Sequence, residues 1–412
     1  MAKSRLHRQF GIPDGESLFV FSSLGDKYYD SDIVGVTITR GSASHLPTFT
    51  PSTMEIEVTG ARHFRTTAFA EFKANYSHIY PFMGATPSLD NHAKRFWGTK
   101  TLSTVDDRRW ARSGVTPIWT TTATCVSMTA RVRSYGLQFN AREGYATVSY
   151  VRTHLNQGVQ KDFVENSSVK TFDTIAGPDE KLDFEEAIRK YADELGTHIQ
   201  HQRDGRVRIE SIQSRADKLV SASKSDYSIQ RDQCLSPARW SSNAEMPTTQ
   251  LVVKRRLSTG QVTEQDWPTG TIYDVMRREV VDLTHVMPTT DSYKNIMSAK
   301  NMLTNWSKLA VDEITIDLGL LFTRRRPIDR LIFKQLLGHE VGDPIFLDND
   351  WPQGVQGAYF STQIKESISP DGWLITIGLA PAHYVIGVYP DNLPTFTPKT
   401  WDQVNSPWDS PP

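Results

Sequence analysis

The stretch "FSTQIKESISPDGWLITIGLAPA", Phe360 to Ala382, places alternating apolar and polar residues on either side of a Pro-Asp-Gly turn. In the first arm Phe360, Thr362, Ile364 and Ile368 share one face and Ser361, Gln363, Lys365 and Ser367 the other, the period of a half-buried strand. Pro370 presets φ for the bend, Asp371 can bond its own backbone, and Gly372 admits a positive φ. Trp373, Ile375, Ile377 and Leu379 then form a second apolar stripe. An isolated hairpin is marginal in water, so these stripes require a partner sheet or barrel wall. The stretch reads as scaffold.

Working outward, "DIVGVTITRG" puts Val34, Val36 and Ile38 on one face, and "STMEIEVTG" puts Met54, Ile56 and Val58 inward with Glu55 and Glu57 outward. Residues 60–120 carry scattered aromatics without clear periodicity and read as an insertion with at least one short helix. Strands return in "TATCVSMTARVRSYGLQFN" and "GYATVSYVRTH". A helix over 183–195 follows, with Asp183 as cap, Glu186 reaching back and Gly196 as stop. "THIQHQRDGRVRIESI" then reads as a hairpin on a two-residue Asp204-Gly205 turn.

A second helical segment spans 291–310, where Ile296, Ala299, Leu303, Trp306 and Ala310 recur at spacings of three and four. Ile314, Ile316, Leu318 and Leu320 alternate as a strand, and "IDRLIFKQLLG" is a short helix stopped by Gly338. The pattern predicts an α+β, mainly β chain. Two barrel-like antiparallel β domains, residues 1–158 and 236–387, flank a middle α/β region at 159–235, and a Pro-rich tail at 388–412 ends the sequence.

Composition excludes several functions. With 46 basic and 47 acidic residues among 412, net charge −1, no chain-wide field recruits nucleic acid or an anionic membrane. Two cysteines, Cys125 and Cys234, are too few for a disulfide framework and fit a reducing compartment. The N-terminal apolar run, Leu18 to Phe21, is too short for a signal-peptide core, and no run of about 18 apolar residues predicts a membrane span.

Chemistry finds no foothold. His198, His201 and Asp204 sit three apart, so on a strand their side chains diverge rather than converge on a metal, and the histidines read as surface or edge residues. The adjacent pairs Glu185-Glu186 and Asp106-Asp107 diverge in the same way. The sequence lacks G-x-S-x-G, P-loop and G-x-G-x-x-G motifs, so no catalytic, metal or cofactor residue is expected and no cofactor. The basic runs Lys254 to Arg256 and Arg324, Arg325, Arg326 lack interleaved aromatics and read as solvated or subunit-contact groups. Trp401 and Trp408 in the tail are contact anchors, so the expected interface residues are Arg324, Arg325, Arg326, Trp401 and Trp408.

In order along the chain, four stretches resemble the minor tail proteins of long-tailed phages, in particular tail-hub proteins related to baseplate hubs. They are residues 32–58, residues 182–211, the helix-strand pair at 291–322, and "LLGHEVGDPIFLDND" leading into the opening hairpin. The shared features are a strand ending in Arg40-Gly41, a hairpin turning at Asp204-Gly205, and a last hairpin turning at Pro370 to Trp373. Lys365-Glu366 stands where members of the family often carry an acidic-His pair.

The resemblance implies a structural virion protein of the tail tip, not an enzyme, assembled in the bacterial cytoplasm. It implies a homotrimeric hub that adapts a sixfold tail tube to a threefold tip and fibre. Its implied partners are a distal tail protein or tail tube above, a central fibre and other minor tail proteins below, and a tape measure protein in the lumen. Specific nucleic acid and stable membrane insertion are not implied. Two alternatives are a hexameric distal tail protein, against which the two helices speak, and a tail protein that binds or degrades host-envelope glycans.

Overall fold

The computed structural model describes residues 4–42, 50–60, 69–79, 93–108, 118–127, 138–140, 163–165, 173–174, 181–183, 198–205, 207–210, 212–222, 228–235, 239–242, 250–256, 261–267, 278–283, 286–287, 309–324, 326–348, 350–352 and 355–382. Mainly β, it is organised by one large open mixed sheet. The strands of its first half are β1 (Phe19–Ser23), β2 (Asp26–Tyr29), β3 (Ile33–Gly41), β4 (Thr53–Thr59), β5 (Phe69–Ala74), β6 (Lys94–Arg108) and β7 (Ile118–Ser127). Those of the second half are β14 (Ser228–Ile229), β15 (Arg239–Ser242), β20 (Leu309–Asp317), β21 (Pro344–Leu347), β22 (Gly357–Ser369) and β23 (Gly372–Pro381). Their order is β15-β20-β23-β22-β3-β4-β7-β6-β5-β1-β2, with β21 also on β22 and β14 on β21.

The quoted hairpin is β22–β23, and it is the seam of this sheet. β23 runs along one flank of β22. On the other flank the first part of β22 pairs with β21, and Gln363 to Ile368 pair antiparallel with β3. One hydrophobic core therefore crosses the seam, taking Ile38, Met54, Ile56 and Phe72 from the first half and Ile316, Ile364, Trp373 and Ile377 from the second. The hairpin joins the halves instead of closing the second alone.

Local details differ from the period-2 reading where the strands carry bulges. The register of β22 shifts between Ser361 and Gln363, so Ser361 is buried and Thr362 is only half-buried. A shift between Ile33 and Gly35 gives the inward place to Ile33, not Val34. The turn itself consists of Pro370 and Asp371, closed by the Ser369–Gly372 pair, and Gly372 does not take a positive φ. Residues 60–120, read as an insertion, contribute β5 and β6 to the sheet as well as the short helix α2 (Tyr76–Ile79). Ala70, Phe72 and Ala74 line the buried face of β5, so a single large residue carries a stripe that short alanines otherwise conceal.

Four further helices cover or join the strands. In α1 (Arg5–Phe10) the Ser4 side chain accepts from the His7 amide, Gly11 forms a left-handed cap, and Leu6 and Phe10 face the core. Phe10 stacks on Phe322 at 4.8 Å and approaches Phe333 and Trp373. α3 (Ile212–Ser221) lays Ala216 and Leu219 on Phe346 and Phe360, a separate core on the other side of β22. β20 ends at Asp317 because this carboxylate accepts from the Leu320 amide and caps α4 (Leu318–Arg324), so Leu318 and Leu320 are helical, not strand residues. α5 (Pro327–Gly338) starts on Pro327 and buries Ile332, Phe333, Leu336 and Leu337.

Four small sheets complete the described strands: β8 (Gln138–Asn140) with β11 (Lys181–Asp183), β10 (Asp173–Thr174) with β19 (Val286–Met287), β9 (Phe163–Glu165) with β12 (His198–His201) and β13 (Val207–Glu210), and β16 (Gln250–Arg256) with β17 (Val262–Trp267) and β18 (Arg278–Leu283). β12 and β13 pair antiparallel as the expected hairpin, but the last pair, His201 with Val207, leaves a loop longer than two residues, with Gly205 at φ 85. The helix expected over 183–195 lies outside the described residues except for Asp183, which ends β11. The segment 291–310 likewise lies outside them, except that Leu309 and Ala310 belong to β20.

Gly41 and Gly11 provide a matched test of backbone freedom against space. Both have positive φ, but a Cβ on Gly41 would meet the Thr362 carbonyl oxygen at 2.2 Å whereas one on Gly11 would meet nothing within 4 Å. Gly11→Ala is expected to cost about 1 kcal/mol and Gly41→Ala about 3 kcal/mol or more, read as the shift of the thermal unfolding midpoint. Equal shifts would show that Gly41 is not tightly enclosed.

A buried ion-pair cluster as the candidate functional site

Beneath the seam, charged side chains occupy positions that the period of the strands assigns to apolar ones. Glu366 lies between Ile364 and Ile368 on the inward face of β22 and is fully buried. Opposite it is Ile38, so Arg40 stands diagonally across on β3 and Trp373 diagonally across on β23. Arg95 comes from β6, where the register shifts between Phe72 and Lys73 and leaves it as the extra residue of a bulge. The bulge turns its guanidinium inward.

These groups meet at hydrogen-bond distance. Arg95 donates through Nε to Glu366 Oε2 at 2.9 Å and through Nη2 to Oε1 at 2.5 Å, a bidentate pair. Arg40 Nη2 lies 2.9 Å from the same Oε1, and Trp373 Nε1 donates to Oε2 at 3.2 Å. The Arg95 guanidinium also sits 5.4 Å from the centre of the Trp373 ring. Burial alone would raise the Glu366 carboxyl, but Arg95 and Arg40 outweigh it and hold the group below the usual carboxylate range.

The C-terminal end of α5 supplies the next layer. Its last carbonyls lack helical partners and carry the negative end of the dipole. Arg95 donates to the Leu337 carbonyl at 2.8 Å, and Arg203, from the loop of the β12–β13 hairpin, donates to that of Gly338. Arg203 Nε pairs with Glu340 at 2.7 Å, and Arg40 Nε lies 3.8 Å from the other oxygen of Glu340. The sequence "HEVGD", residues 339–343, thus connects β3, α5 and the middle hairpin.

Asp343 continues the chain of charges, pairing with Lys218 at 3.0 Å and Arg208 at 3.2 Å and accepting from the Glu340 amide at 2.9 Å. Glu210 pairs with Lys218 at 2.5 Å and Arg215 at 3.2 Å. Gly342 has φ 88, and a Cβ there would lie 2.9 Å from Arg215 Nη2 and from Glu210 Oε2. Only glycine fits. Gly205 packs as closely on the Trp97 ring.

Chemically, this arrangement clamps. Each carboxylate faces at least one cation; Glu366, Arg40 and Arg95 are withdrawn from solvent, while Asp343, Arg208 and Lys218 at the outer end stay about a fifth exposed. Among the described residues no group of His, Cys, Asp and Glu is arranged to hold a metal ion, and no helix is long and apolar enough to cross a membrane. His201 lies on β12, an edge strand of its sheet among the described residues, but its side chain is buried and not at the surface. Cys125 and Cys234 are free, and burial pushes both thiols up to about 12.

The expected contact residues lie elsewhere. Arg324 donates to the Asp232 carbonyl at 2.8 Å, while Arg326 pairs with Asp329 at 2.6 Å and Asp232 at 2.8 Å, so both are engaged within the chain. Arg325, Trp401 and Trp408 lie outside the described residues.

Two measurements test the clamp. Glu366→Gln leaves two buried guanidinium groups without their counter-ion and should cost about 3–5 kcal/mol, whereas Lys254→Ala, which removes an exposed pair with Glu264, should cost under about 1 kcal/mol. Similar melting shifts for the two variants would contradict it. Burial, with Arg203 and Arg40 nearby, holds the His339 imidazole down to about 4 against the pull of Asp343 and Glu340. An unfolded imidazole titrates near about 6.5, so between those values the unfolded chain binds the extra proton and stability falls as pH drops, by up to about 3 kcal/mol. In His339→Gln that slope should vanish; an unchanged slope would refute the assignment.

No protein-family model matches the sequence, and no curated protein matches it. Solved structures do. The chain is similar to the 43 kDa tail protein of prophage MuSo2 from Shewanella oneidensis, with 13% identity and a TM-score of 0.56 over 89% of this chain and 99% of that one. It is also similar to the tail protein from Neisseria meningitidis MC58, with 11% identity and a TM-score of 0.55 over 90% and 99% of the two chains. The fold is one that phage tail proteins adopt, almost end to end.

Proposed function

We propose that the chain is a structural subunit of a phage tail tip, a homotrimeric hub that adapts a sixfold tube to a threefold tip and fibre. The observation that carries this reading is the fold shared with two phage tail proteins over nearly their whole length. The ion-pair clamp supports it, since interlocked charges across several strands serve rigidity. In this reading residues 1–158 and 236–387 act as two barrel-like walls, residues 159–235 form the middle α/β part, and 388–412 is a contact tail. Arg324, Arg325, Arg326, Trp401 and Trp408 are its proposed contact residues. The neighbours are a distal tail protein or tail tube, a central fibre with other minor tail proteins, and a tape measure protein in the lumen.

Native mass measurement and imaging of purified tail tips test the copy number. The hub reading expects a ring of three chains, 139.8 kDa as 3 × 46.6 kDa. Six copies would instead favour a distal tail protein, and release of soluble sugar or peptide from host wall material would favour an envelope-degrading one.

A further inference from the structure

One member of the ion-pair cluster is of a type that changes charge near neutral pH. His339 caps α5, its side chain is buried, and its Nε2 has no hydrogen-bond partner among the described residues. Four charged groups face it: Asp343 and Glu340 from its own loop, Arg203 from the β12–β13 loop and Arg40 from β3. The two carboxylates are already engaged. Arg203 Nε pairs with Glu340 Oε1 at 2.7 Å, Arg40 Nε stands 3.8 Å from Glu340 Oε2, and Asp343 is shared by Lys218 and Arg208. A proton on His339 therefore puts a third cation beside Arg203 and Arg40 in a buried place.

Those same carboxylates are what the middle hairpin and α3 hold on to. Arg203 of the β12–β13 loop, Arg208 of β13 and Lys218 of α3 all end on Glu340 or Asp343, and Arg203 also donates to the Gly338 carbonyl. Other ties to the sheet are uncharged: Ser52 Oγ donates to the His201 carbonyl at 3.4 Å, Gly205 packs on the Trp97 ring, and Ala216 and Leu219 pack on Phe346 and Phe360. An imidazolium at position 339 competes with Arg203, Arg208 and Lys218 for both carboxylates and repels Arg203 and Arg40 directly. Opening relieves this, because water then solvates the charge.

We infer that His339 is a proton-operated release: on acidification its imidazolium displaces Arg203, Arg208 and Lys218 from Glu340 and Asp343, and the middle hairpin with α3 opens from a sheet that itself stays folded. The inference does not depend on the copy number of the assembly. Its sign follows from the two states. Closed, burial with Arg203 and Arg40 nearby holds the imidazole down to about 4; open, it titrates near about 6.5. Between these values the open state binds the extra proton, so opening grows as pH falls, about 20-fold from pH 7 to pH 5. Against its burial, Asp343 is held well below the usual carboxylate range by Lys218 and Arg208, so it stays ionised throughout that window.

Hydrogen exchange of the full-length chain across this pH range, corrected for the intrinsic exchange rate, tests the release. Amides of Ile199–His201, Val207–Glu210 and Ala216–Ser221 should open about 20-fold more readily at pH 5 than at pH 7, while those of Val36–Gly41 and Gln363–Ile368 keep their protection. His339→Gln should match the wild type at pH 7 and lose the acid response; His7→Gln, which removes an imidazole bonded to Asp30, should retain it. The wild-type chain gives a second check that needs no variant, since one proton per opening limits the rise to tenfold per pH unit. A steeper rise, equal acceleration in the two sheet segments, no acceleration at all, or an acid response that survives in His339→Gln would each overturn the inference.

Discussion

A carboxylate buried between two guanidinium groups is the interaction on which this structure depends. Glu366 gathers Arg95 from β6, Arg40 from β3 and the Trp373 indole from β23, four strands' worth of sheet fixed at one point. Removing such a group from water is expensive, and the cost is recovered only where every partner is in place. The cluster therefore favours one register of the seam strongly. A slip of β22 by a single residue would turn Glu366 outward and leave both arginines buried without a counter-ion.

From that point the charges lead outward in sequence. α5 directs its carbonyl end at Arg95 and Arg203, and Glu340 and Asp343 pass the contact to the middle hairpin and to α3. The middle part is held to the wall by two means at once: ion pairs through the 339–343 loop, and the small core of Ala216 and Leu219 on Phe346 and Phe360. The first gives orientation and the second gives area.

The hairpin and the stripes of β4 were legible because their periods are regular: Met54, Ile56 and Val58 are buried, as are Trp373, Ile375, Ile377 and Leu379. Glu366 was not. A lone glutamate in an alternating strand reads as solvated, and nothing local distinguishes one whose counter-ions come from positions 271 and 326 residues away in the chain, Arg95 and Arg40. Bulges hid more, since each shifts the period by one residue; those at Thr362 and Arg95 lie at the cluster itself. Asp317 hid the start of α4, because Leu318 and Leu320 continue the strand's alternation past the cap. The turns that stood out in the sequence, Arg40-Gly41, Asp204-Gly205 and the one before Trp373, lie beside the cluster, although nothing local announced the charges that meet there.

Native-state hydrogen exchange along the seam tests most directly whether Glu366 binds the halves into one unit. The account predicts that the amides of Val36–Gly41 and of Gln363–Ile368 open together with a common free energy, and that neutralising Glu366 lowers protection in both segments equally. Independent opening of the two segments, with β3 still protected when β22 exchanges freely, would contradict it.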